Sequence, residues 1–309
     1  MTKERFRTFT WATLGVTLAV ILWGAYVRAS GSGAGCGSHW PTCNGEIIPR
    51  SPGAATIVEF THRITSGLSG VMVLIQVVWA FLVLPRRHPA RAGAAVSLFL
   101  MLNEGAVGAA LVLFEHVAGD KSIARAAWTS LHLTNTFLLV AAITATAYWA
   151  SGGRAPRFAR QGRAAGLLLV GALALLLTGV SGAVTALGDT LFTSPTLARG
   201  IADDFSPTAH FLQQLRIIHP LLAMGTALFV LYARGPIAAE RGDEAARWSR
   251  LLAGAVIGQL GLGMVNLALQ APVDLQIVHL LVADLVWVAF VLLGAAALGV
   301  PRPTAAEQA

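Results

Sequence analysis

Four histidines, His62, His132, His219 and His279, each stand near the start of a long apolar run. Each lies about five to seven residues into its run, which is roughly 8–10 Å at about 1.5 Å per residue. The four imidazoles are therefore expected in one layer. Ionisable side chains inside a bilayer are costly and usually functional. A single histidine in such a place is most often a satisfied polar residue bonding a neighbouring helix. Four at one depth, on alternate runs, are better explained as ligands. Neutral imidazole binds iron well, and two facing helices of a bundle can hold a haem between them. The simplest pairing sets His62 with His132 and His219 with His279, one haem site in each half of the chain. Zinc would call for cysteine or carboxylate ligands at short spacing, and a proton relay gives no reason for pairing by halves.

The elements that must position these residues are legible from composition. The chain has 309 residues, 55% hydrophobic and 12% charged, with a mean hydropathy of +0.67. A soluble domain carries about 25% charged residues. Eight apolar runs lie near 9–28, 57–84, 93–114, 128–149, 164–187, 212–233, 250–270 and 274–299. Each is close to the roughly 20 residues needed to cross a bilayer. They lack the alternation of barrel strands, so the expected fold is an all-α polytopic membrane protein with eight transmembrane helices. The first run is too long for a signal peptide and lacks a small-residue cleavage site. The terminal PRPTAAEQA is expected to fray.

The net charge of +7 does not point to nucleic acid, because the basic residues sit in alternate connections. Lys3, Arg5 and Arg7 precede helix 1, and Arg86, Arg87 and Arg91 follow helix 2. Arg154, Arg157, Arg160 and Arg163 follow helix 4; Arg234, Arg241, Arg247 and Arg250 follow helix 6; Arg302 follows helix 8. By the positive-inside rule both termini are cytoplasmic and the odd-numbered loops face outward. His39, His116 and His210 then fall in outward loops and His88 in an inward one.

The basic segment SGGRAPRFARQGR divides the chain into residues 1–150, a linker at 151–163, and residues 164–309. The two four-helix halves look related. Val27, Ala29 and Gly31 align with Val184, Ala186 and Gly188 at a shift of 157, which also carries His62 onto His219. His132 and His279 match at a shift of 147. Duplicated bundles are common in membrane proteins.

The repeat breaks at one telling place. Glu59, three residues before His62 and on the same helix face, aligns with Arg216. A carboxylate at one site alone suggests proton transfer or stabilisation of a cationic intermediate; interaction with the helix dipole is the simpler account. Arg28, Arg63 and Arg216 flank the histidines. They could fork onto haem propionates or only snorkel at the interface. The loop GSGAGCGSHWPTCNG holds the only cysteines, Cys36 and Cys43. An outward loop permits a disulfide, serving either as a clip or as a redox-active pair. His39 and Trp40 between them are expected to be packing or surface residues.

Taken together, these residues resemble the bacterial form of the haem A synthase family. GSGAGCGSHWPTCNG, EFTHRITSG, LHLTNTFLL, LRIIHP and IVHLL are similar to its signatures in order and spacing. The resemblance implies oxidation of a methyl group of haem O to the formyl group of haem A, by two hydroxylations and loss of water, for terminal oxidases. It implies that His62 and His132 hold the haem O substrate, and that His219 and His279 hold a haem b cofactor whose iron delivers electrons. It makes Glu59 the acid at the substrate site, and Cys36 and Cys43 the outer-loop pair. It further implies a multi-pass protein of a bacterial plasma membrane, supplied by a haem O synthase, acting in terminal oxidase assembly and reduced by an electron donor that the sequence does not name. Some members carry a second cysteine pair between helices 5 and 6; residues 188–211 here contain none. Two alternatives stand beside this reading: a bis-histidine di-haem cytochrome that only transfers electrons, and a transporter built from duplicated bundles.

Overall fold

A computed structural model describes residues 2–299 apart from 158, 160 and 240. The expected frayed tail, Arg160 and Arg302 lie outside the described residues. Eight helices are long and apolar enough to cross a membrane. They are span 1 (Lys3–Ala29), span 2 (Ala54–Val83), span 3 (Pro89–Leu113), span 4 (Ile123–Ala150), span 5 (Arg163–Leu191), span 6 (Phe211–Ala239), span 7 (Gly242–Ala268) and span 8 (Val273–Leu298). Among the described residues the only β feature is an isolated bridge between Cys43 and Glu46. The chain is thus an all-α, multi-pass membrane protein, as the hydropathy pattern predicts.

The helices are longer than the apolar runs, because hydropathy marks where lipid begins and not where helix begins. Span 7 starts eight residues before the expected 250, with Asp243 and Glu244 in its first turn, where carboxylates are favoured by the exposed N–H groups. Span 4 starts at the Ser122 cap, whose side chain accepts from Arg125 N–H, and span 6 starts in a capping box between His210 and Gln213. The four histidines consequently lie six to nine residues inside their helices, about 9–14 Å at 1.5 Å per residue, because the helices begin ahead of the apolar runs from which the expected depth is counted. Span 6 tightens to a 3-10 turn at Leu215–Ile217. The physical reason is Pro220, which has no N–H to give and whose ring clashes with the carbonyl four residues back. The connection expected at 188–211 also contains a short helix, Leu197–Asp204, begun by the Thr196 cap.

Spans 1, 2, 3 and 4 form one closed ring of neighbours, and spans 5, 6, 7 and 8 form another. The rings meet through spans 1 and 4 on one side and 5 and 8 on the other. Span 1 meets span 8 as span 5 meets span 4, the pattern that a two-fold relation between halves produces. At the seam Phe137 of span 4 stacks on Trp287 of span 8, with ring centroids 5.5 Å apart, and Trp287 Nε1 donates to the Phe137 carbonyl at 2.7 Å. Lipid offers no hydrophobic drive for such contacts, so close packing and interhelical hydrogen bonds hold the halves together. The segment between the halves is tied down as well. Arg157 N–H donates to the Leu298 carbonyl at 2.9 Å, and Arg241 Nη1 donates to Gln161 Oε1 at 2.6 Å.

Candidate functional site

Each of the four histidines packs against a glycine of the preceding span. A Cβ on Gly24 would stand 2.8 Å from His62 Cε1, and one on Gly182 would stand 2.9 Å from His219 Cε1. The corresponding distances are 3.1 Å for Gly263 and His279, and 3.6 Å for Gly108 and His132. Glycine at these places lets the backbone of one span approach the imidazole of the next. The arrangement recurs in both halves, which is stronger support for the duplication than the few matching residues of the alignment. Gly258 and Gly261 have open space beside them, unlike Gly263.

The histidines lie in two pairs. His219 and His279 have ring centroids 6.5 Å apart and planes at 88°. His62 and His132 lie within electrostatic reach of each other. His219 Nδ1 is 3.1 Å from Ser181 Oγ, a contact that fixes the ring and leaves its other nitrogen for a ligand. Among the described residues the Nδ1 atoms of His62, His132 and His279 are buried without a hydrogen-bond partner. Buried polar atoms are normally satisfied, so the unspent Nδ1 atoms of His62 and His279 fit a group that binds imidazole nitrogen, whereas His132 Nδ1 has a carboxylate oxygen of Glu104 3.4 Å away. Also among the described residues, no three His, Cys, Asp or Glu side chains gather as a metal-ion cluster.

Cys36 and Cys43 are joined by a disulfide, and both are fully buried. Their loop is moored on span 2. Cys36 N–H donates to Glu59 Oε2 at 2.8 Å. Arg63 Nη2 lies 2.5 Å from Glu59 Oε1, and Arg63 Nη1 donates to the carbonyls of His39 and Thr42 at 2.7 and 2.6 Å. Glu59 is 3% exposed and lies well past the helix start, so the loop and the Arg63 pair, not the dipole, account for its local role.

The Arg216 position carries the opposite charge and does a similar job. Its guanidinium holds Asp204 at 2.5 Å and Asp189 at 3.2 Å, and donates to the Phe192 carbonyl at 3.1 Å. Arg28 crosses between the halves, donating to the Ala186 carbonyl at 2.6 Å, Thr190 Oγ1 at 2.9 Å and Gln276 Oε1 at 2.9 Å. Arg28, Arg63 and Arg216 are thus all engaged by protein groups. A propionate at any of them would have to share or displace these partners.

Two residues escaped the sequence reading. Glu104, in the middle of span 3, places Oε1 3.4 Å from His132 Nδ1 and also accepts from Asn135 Nδ2 at 2.5 Å and from Thr136 Oγ1. An acid in an apolar run was the available signal. Asp284 on span 8 is fully buried, with neither oxygen hydrogen-bonded among the described residues.

Fold and site together define a helical membrane protein of two bundles, each with a pair of histidines set against glycines. Comparison with known families makes this specific. Residues 7–291 match the family COX15-CtaA, cytochrome oxidase assembly protein, and the chain belongs to that family. It is 48% identical over 298 residues to a "Protoheme IX farnesyltransferase" of Thermus thermophilus. That match covers 96% of this chain but 49% of the relative, so the chain spans about half of that protein. It is 40% identical over 111 residues to a "Heme A synthase" of Alkalihalophilus pseudofirmus, covering 36% of this chain and 37% of that one. A "Heme A synthase" of Geobacillus kaustophilus is 38% identical over 111 residues, with 35% of each chain covered.

Proposed function

We propose that this chain is a haem A synthase, oxidising a methyl group of haem O to a formyl group. The observation that carries the reading is the recurrence of the glycine-backed histidine pair in both halves, with Glu59 beside one pair and Arg216 in its place at the other. His62 and His132 hold the haem O substrate, and His219 and His279 hold haem b. Bound haem b supplies one-electron chemistry at the second site. Glu59 is the acid of the substrate site, placed to accept a proton or to balance positive charge on the reacting carbon. Its pairing with Arg63 offsets the cost of burying the carboxylate, and its bond to Cys36 N–H keeps the disulfide loop beside His62. Arg28 ties the two halves together and Arg216 braces the connection before span 6, beside any propionate they contact.

The basic connections support a bacterial plasma-membrane location with both termini cytoplasmic and the disulfide loop outside. The Thermus relative is about twice the length of this chain and is named for farnesyl transfer to protohaem. That supports an upstream partner of the same kind, a haem O synthase that hands over the farnesylated substrate. The product would then serve terminal oxidase assembly, in keeping with the family.

A di-haem electron-transfer cytochrome would share both histidine pairs but would leave its haems unaltered. Expression in a host that makes haem O but not haem A decides between them. Extracted pigment should contain haem A, identified by mass. Haem O and haem b alone, from well-folded protein, would overturn the proposal.

A further inference from the structure

The two halves differ at a second place, hidden until the histidines are seen with their neighbours. Glu104 stands one turn before Gly108, the glycine that faces His132. A shift of 155 carries Gly108 onto Gly263, the glycine that faces His279, and carries Glu104 onto Gln259. Gln259 Nε2 is 3.2 Å from His279 Nε2. The same helix position therefore presents a carboxylate to the imidazole of one site and an amide to that of the other.

Glu104 is held in place. Asn135 Nδ2 donates to it and also to the Leu100 carbonyl at 2.9 Å, while Asn103 Nδ2 donates to Asn135 Oδ1 at 2.7 Å. Thr136 donates to the other carboxylate oxygen. These bonds hold the carboxylate beside the ring, with Oε1 3.4 Å from His132 Nδ1. Gln259 has no such frame: its Oε1 is buried and without a partner among the described residues.

We propose that Glu104 is a positioning residue for His132, and that the Glu104/Gln259 difference gives the two haem sites different electron affinities. The inference rests on the proposed role of His132 as a haem ligand. A carboxylate that accepts the second N–H of a ligating imidazole orients the ring and makes it a stronger donor. A stronger donor favours oxidised iron and pushes electron density through it, which suits a site where a substrate is oxidised. An amide polarises the ring less, which suits a site that takes up electrons and passes them on.

Redox titration of the purified, haem-loaded full chain tests this, followed by absorbance, for wild type, Glu104→Gln, Gln259→Glu and His132→Ala. Glu104→Gln should raise the reduced-to-oxidised ratio of the N-terminal haem about tenfold at fixed potential, equivalent to about 59 mV for one electron. It should also weaken that site for added protohaem by about tenfold or more. Gln259→Glu should lower the ratio at the other haem by a similar factor. If Glu104 only glues spans 3 and 4, Glu104→Gln will change thermal stability and neither potential, and the proposal fails. If Glu104→Gln does not fold, Gln259→Glu decides alone, and an unmoved potential there overturns the proposal. His132→Ala separates the two levels. Retention of the N-terminal haem in that variant would sink the ligand reading itself; loss of that haem with a silent Glu104→Gln would sink only the present inference.

Discussion

The backbone N–H of Cys36 donates to Glu59 Oε2 over 2.8 Å, so the disulfide loop is tied directly to the acid beside His62. Cys36 and Cys43 are seven residues apart, and closing so short a loop is worth about 2–3 kcal/mol by chain entropy. Replacing both cysteines by serine should therefore lower the thermal midpoint. It should also free Glu59, cutting conversion of haem O about tenfold, for roughly 1.4 kcal/mol of lost positioning. Unchanged conversion after full reduction would show that the loop does not serve the site.

The glycines behind the histidines predict an ordered series. Alanine in place of glycine ordinarily favours a helix by about 1 kcal/mol. At Gly24, Gly182 and Gly263 the new methyl would stand 2.8–3.1 Å from an imidazole carbon, and such overpacking costs about 1–3 kcal/mol. Each of these variants should fold and yet lose haem from its own half, on the order of tenfold. Gly108→Ala, at 3.6 Å, should bind normally. Haem content by absorbance reads the series, and equal losses at all four positions would contradict it.

Arg216 gives a test of structure against ligand binding. Arg216→Ala would leave Asp189 and Asp204 without their guanidinium; for these half-buried groups the loss lies between that of an exposed and a buried pair, about 1–3 kcal/mol. Thermal stability should fall sharply. Loss of haem from the second half with stability unchanged would instead favour the propionate role.

The loop between spans 3 and 4 should be sensitive to acid. Burial works against the charge of Asp120, but hydrogen bonds from His116 and from the Ser122 N–H and hydroxyl outweigh it and hold the carboxyl below its ordinary 3.8. A carboxyl lowered in the folded state stabilises the loop above the unfolded value. That support is lost as pH falls through the folded value. Protease cleavage within residues 114–122 should therefore rise below about pH 4, and Asp120→Asn should remove the dependence. Cleavage independent of pH in the native chain would count against this.

What could be read from the sequence follows from what kind of signal each feature leaves. Eight spans were legible because apolar length is a strong constraint in lipid, and His62, His132, His219 and His279 stood out because imidazole is rare at that depth. The partners of Arg28, Arg63 and Arg216 were not legible. Gln276 is 248 residues from Arg28, and only folding brings them together. Glu104 was passed over because its meaning depends on His132, 28 residues away on another helix. Gly263 carried no signal of its own, because its neighbour, the imidazole of His279, lies on another span. Helix ends were missed wherever polar turns continue beyond the apolar run, as in span 7.

The most direct test of two sites with two different haems is the identity of the pigment lost from two variants, His132→Ala and His279→Ala. Each would be purified from cells supplying haem O and its extracted haem identified by mass spectrometry. The account predicts that His132→Ala keeps haem b and loses the farnesylated haem, while His279→Ala does the reverse. Loss of the same pigment from both variants, or from neither, would contradict it.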